Sequence, residues 1–135
     1  MRRTKIVTID AEGRDKGKAF KLTELPCAQA EMWALGVLSA MGQSGVEVDE
    51  DMMAEGMAGL ARFGISAIMK IRRDLAEPLL AEMMDCVERV PDAAKSAVVR
   101  PLNDDDIDEV TTRLTLRKEV LTLHLGFFTA DAPSI

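Results

Sequence analysis

The side chains best placed by type to do chemistry are an acidic run, Asp104, Asp105, Asp106, Asp108 and Glu109, and the single histidine, His124. A calcium loop needs spaced acids with a glycine at the turn and a late glutamate, and no glycine follows the first acids here. The run reads instead as a helix N-terminus, where Asp and Asn cap free amides and acids face the positive end of the dipole. His124 lies five residues after Glu119, but general base catalysis needs a histidine oriented by a partner and aimed at a nucleophile. Ser39, Ser44, Ser66 and Ser96 have no nucleophile-elbow context. Gly13-x-x-x-Gly17-Lys18 has the wrong spacing for a phosphate loop and is followed by Ala19, so it reads as a turn. Glu31 and Glu82 lack the Glu-x-x-His partners of a di-iron site. Cys27 and Cys86 form no C-x-x-C pair, and with one histidine they cannot complete a zinc site. No catalytic residue, metal site or cofactor is expected, and the chain reads as a binder rather than an enzyme.

The elements that would position these residues are mainly helical. KIVTI (5–9), a polar glycine-bearing stretch, and AFKL (19–22) predict a β-hairpin over 5–22. Pro26 opens a helix whose apolar residues Ala30, Trp33, Ala34, Val37, Leu38 and Met41 recur at helical spacing, with Gly42 ending it. A second helix, capped by Asp49 or Glu50, carries Met53, Met57, Leu60, Gly64, Ile68 and Ile71 on one stripe and is closed by Lys70, Arg72 and Arg73. A third runs from about Asp74 to Val90 with the stripe Leu75, Leu79, Met83, Cys86, Val87 and Val90. Ala97 to Leu102 reads as an extended linker. A last helix opens at Asn103 to Asp106 and shows two apolar faces: Ile107, Val110, Leu114, Leu121 and Leu125, and Leu116, Val120, Leu123 and Phe127. A helix apolar on two faces is buried on two sides. The expected fold is one mainly α domain over 1–135, a four-to-five-helix bundle with a short N-terminal hairpin (5–22), a helical body (26–128) and a loose tail (129–135).

Composition narrows the partners. With 135 residues and 47% hydrophobic side chains, the chain can bury a real core. Nine Met and only five aromatics place much of that core in flexible side chains, which also suit adaptable binding surfaces. A net charge of −6 disfavours nucleic acid. The charge is uneven: residues 1–22 carry seven bases and three acids, whereas Val46 to Glu55 holds five acids and no base. Such asymmetry lets copies meet one another or a partner of mixed charge. The start MRRTKIVTIDAEG lacks an apolar signal core, and Met52 to Ile71 is too interrupted by charge and glycine to span a membrane. Both cysteines fall on apolar helical faces, which predicts reduced core thiols in a cytosolic protein.

The ending DDDIDEVTTRLTLRKEVLTLHLGFF resembles the close of tail assembly chaperones from long-tailed bacteriophages and prophages. The matching positions are Asp106-Ile107-Asp108-Glu109, Thr112, Leu114, Leu116, Leu123-His124 and Phe127-Phe128. The extended front followed by a proline-initiated helix with Trp33, and the segments Glu77-Pro78-Leu79-Leu80 and Met84-Asp85-Cys86-Val87, are similar to the same family, over roughly residues 5–128. The resemblance implies a role without a reaction. Such a protein binds and solubilises the tape measure protein, helps recruit major tail tube subunits, acts in the cytoplasm of the bacterial host, and is absent from the mature virion. Expected partners are therefore the tape measure protein, the tail tube protein and other copies of the chain, with no nucleic acid and no membrane. Trp33, Leu116, Val120, Leu123, Phe127 and Phe128 are the expected protein interface. The competing reading is a small structural tail-completion or head–tail joining protein of a prophage.

Overall fold

The structure, a computed structural model, describes residues 1–47, 50 and 68–125, the last without its side chain. Strands β1 (Thr4–Thr8) and β2 (Ala19–Thr23) form the expected hairpin, antiparallel with Thr4 opposite Thr23 and Thr8 opposite Ala19. The polar loop between them closes where Gly17, at a φ of 87° that favours glycine, donates its N–H to the Ile9 carbonyl at 2.7 Å. Helix α1 spans Cys27–Gln43 with Pro26 at its N-cap, and buries Trp33, Ala34, Val37, Leu38 and Met41 of the stripe read from the sequence, together with Ala40, while Ala30 is half-buried. It passes Gly42 by one residue and turns at Ser44 and Gly45.

The mainly α bundle, and with it an all-α description, is overturned. The described residues form three α-helices and a four-stranded antiparallel sheet, a mixed α/β arrangement. The correction lies in the third helix. Helix α2 is Arg73–Met84 and stops there. Val87–Val90 is strand β3, and β4 (Arg100–Pro101) lies within the segment read as a linker. The sheet order is β1-β2-β3-β4, with β3 antiparallel to β2 so that Leu22 faces Val87 and Ala19 faces Val90. The stripe through Cys86, Val87 and Val90 fits either period over so short a run. Non-local pairing decides it. β2 buries Phe20 and Leu22 completely, so its second row of amides and carbonyls needs a partner, and β3 supplies one.

The second predicted helix lies outside the described residues, except for Glu50 and its end, where Ile68 and Ile71 are buried. The last helix is also redrawn. Asp104–Asp106 is a separate 3-10 turn, and Ile107 is extended. Helix α3 then runs Val110–Leu125. It packs against β1 and β2, and α2 packs against both α1 and α3. One core joins Phe20 and Leu22 of the sheet to Trp33, Leu38, Met83, Leu116 and Val120 of the helices.

Candidate functional site

The acidic block and its histidine sit at the two ends of α3, and both ends are fastened to the hairpin side of the molecule. At the N-terminal end the fastening comes from the hairpin loop. Asp15, only 1% exposed, accepts hydrogen bonds from the backbone N–H of Asp108 at 3.0 Å and of Glu109 at 2.9 Å. These are free amides preceding the helix, so a residue nearly a hundred positions away acts as its cap. Lys18 Nζ reaches Asp15 at 2.8 Å, the Asp106 carbonyl at 3.1 Å and Asp108 at 3.2 Å. Arg14 binds Glu109 at 2.9 Å and the Asp108 carbonyl at 2.7 Å. Burial pushes the Asp15 carboxyl up. Hydrogen bonds from Lys18, Thr112 and the amides of Asp108 and Glu109 outweigh it and hold the group well below the usual carboxylate range.

Asp106 ties the adjoining strands. It accepts from Arg100 at 2.9 and 2.5 Å and from the Asn103 amide at 2.8 Å, while Asn103 caps the turn through the Asp105 amide. The Arg100 hydrogen bond is the chief cause that lowers the Asp106 pKa, against the effect of burial. Arg89 of β3 stands 3.6 Å from Asp106, donates to the Ala19 and Val90 carbonyls, and places its guanidinium 5.3 Å from the centre of the Phe20 ring.

At the other end, His124 is buried and fully bonded. Its Nε2 accepts the Leu25 N–H at 2.9 Å, so its proton sits on Nδ1, which donates to the Val120 carbonyl at 2.8 Å. A ring used this way joins the entry of α1 to the end of α3 and has no free nitrogen for a proton-transfer step. Arg3 reinforces the joint through the His124 carbonyl at 3.3 Å and through Glu24. Beside it is an apolar recess of about 200 Å³, counting space open to solvent, lined by Leu25, Trp33, Met83, Cys86, Val120 and His124. Its polar groups are already used, since Trp33 donates to the Leu79 carbonyl at 3.0 Å, so it offers a substrate nothing to orient it.

The expected interface residues divide. Trp33, Leu116 and Val120 are core, Leu123 is half-buried, and Phe127 and Phe128 lie outside the described residues. The face through Thr112, Leu116, Val120 and His124 is the inward one. The solvent face carries Val110 and Leu114, 73% and 45% exposed, which the sequence reading had placed on a single face with the buried Leu121. Cys86 is a buried thiol, pushed up to about 11 by burial and then by Asp85 and Glu82, whereas Cys27 is exposed and not a core thiol. Asp15 escaped the sequence reading. Its only local signal is an acid three residues before Lys18 in a glycine-framed loop. Among the described residues no group of three or more His, Cys, Asp and Glu side chains is placed to hold a metal ion, and no helix is long and apolar enough to cross a membrane.

Comparison with known protein families, with curated proteins and with solved structures gives no match in any of the three.

Proposed function

We propose that the chain is an assembly chaperone that binds and solubilises the tape measure protein of a phage tail and helps recruit tail tube subunits, in the cytoplasm of the bacterial host. The reading starts from the resemblance of residues 5–128 to that class. The observation that carries it beyond resemblance is the solvent face of α3. The helix is fixed at both ends, yet Val110 and Leu114, one turn apart, project into solvent. An i, i+4 apolar pair on a rigid helix can dock along a partner helix. Met32 on α1 and Met69 add exposed, adaptable apolar side chains. The net charge of −6 keeps a complex with an apolar partner in solution. The role requires no reaction, and His124 and Glu109 are engaged in holding α3.

Co-expression with a tape measure protein encoded in the same genome tests it. The double variant Val110→Asp, Leu114→Asp leaves the core untouched. It should keep the wild-type circular dichroism spectrum and lose most of the soluble partner. Equal recovery of soluble partner with variant and wild type would overturn the assignment to this face. Failure of the wild-type chain to solubilise the partner would overturn the chaperone reading itself.

A further inference from the structure

The two edges of the sheet are treated differently. β4, at one edge, is two residues long and contains Pro101, which cannot donate to a further ladder. β1, at the other, is five residues long, contains no proline and is exposed along most of its length. Its register shows which groups are unspent among the described residues. Ile9 donates to the Lys18 carbonyl and Glu24 donates to the Arg3 carbonyl, so Arg3, Lys5, Val7 and Ile9 bond towards β2. The N–H and C=O groups of Thr4, Ile6 and Thr8 therefore point outward from the edge.

The side chains do not blunt this edge. Lys5 is the charge that should do so, but it faces the helix layer, where Glu119 of α3 neutralises it at 2.5 Å. Thr4, Ile6 and Thr8 lie on the opposite face, with Ile6 41% exposed.

We infer that β1 is an interface for a second copy of this chain, pairing antiparallel to itself about an axis through Ile6. This register places Ile6 opposite Ile6 of the second copy and Thr4 opposite Thr8 of the second copy, matching apolar with apolar and hydroxyl with hydroxyl. Just beyond the strand it brings Arg2 opposite Asp10 of the second copy, once on each side of the axis. Arg2 and Asp10 are both exposed, and no ion pair engages either of them among the described residues. Opposite charges and Thr pairs directly across a ladder each favour pairing. About six further ladder hydrogen bonds form in this register. Sliding by two residues in either direction removes the Arg2–Asp10 match and sets Ile6 against Thr, so the pattern selects its own register. The product is one continuous eight-stranded sheet with both helix layers on the same side. This inference is independent of the chaperone reading.

Sedimentation of the full chain over a concentration series tests it. The wild type should show a reversible monomer–dimer equilibrium that weakens with added salt. Ile6→Lys sets two ammonium groups against each other on an exposed position, and should leave the monomer folded while abolishing the dimer. Arg2→Asp and Asp10→Arg should each raise the dissociation constant by about tenfold or more, and the two together should restore it. A wild type that stays monomeric throughout overturns the inference, leaving the edge to a strand from another protein. A dimer indifferent to Ile6→Lys, or a double swap no tighter than its single parents, overturns it as well.

Discussion

Asp15 shows how a single side chain can govern a distant element. It is buried, it is charged, and it caps a helix that begins 95 residues later. Replacing it with alanine strands the amides of Asp108 and Glu109 and leaves Lys18 half-buried without its closest carboxylate. Breaking one side of such a buried pair is strongly destabilising, and Asp15→Ala should cost about 2–4 kcal/mol in denaturant unfolding. The same geometry sets an acid dependence. Asp15 and Asp106 both have folded pKa values below their unfolded ones, near about 4 for Asp. The stability they contribute is therefore complete above that unfolded value and is lost as pH falls through the folded values. Unfolding midpoints measured from pH 7 downward should stay level to about 4 and then drop, and Asp15→Ala should flatten part of that drop. The types of these residues were legible in the sequence, but their work was not. The acid run reads as the N-terminus of the last helix, yet Asp104–Asp106 form a separate turn in which Asp106 is buried and serves two strands, while the cap of α3 comes from a loop read as a mere turn.

At the scale of the element, local signals held best in α1. The stripe of α1 predicted five of its six buried residues, missing Ala40 and including the half-buried Ala30, because a helix this long repeats its period several times. Its Gly36 faces α2, where an added Cβ would meet Leu79 Cδ2 at 3.5 Å, an ordinary contact. Glycine lowers helix propensity, so Gly36→Ala should raise thermal stability by about 0.5–1 kcal/mol. A drop instead would show that α1 and α2 pack more tightly than that spacing. Short elements were not legible in the same way. Val87–Val90 offers too few residues to separate a period of two from one of 3.6, and its strand state depends on β2, more than sixty residues earlier.

For the whole molecule, the sheet and the helices share one core, and Phe20 stands at its centre with no exposure. Phe20 packs against the helix layer and carries the Arg89 guanidinium, so the hairpin cannot be an appendage. Phe20→Ala should cost about 3–5 kcal/mol. The helical circular dichroism signal and the fluorescence of Trp33 should still be lost together in one transition, at a lower midpoint. Separate transitions would mean that the helices hold without the sheet.

The sequence by itself determined the hairpin and the first helix with most of its buried face, because each depends on neighbours within a few turns of chain. Only the tertiary structure decided that the molecule is mixed α/β. It also decided that Leu116 and Val120 face inward while Val110 and Leu114 face out, and that Asp108, Glu109 and His124 are fastened to the hairpin side of the molecule. Each of these outcomes depends on which distant backbone group is left without a hydrogen bond. That is settled only when β2, the hairpin loop and α3 come together in space.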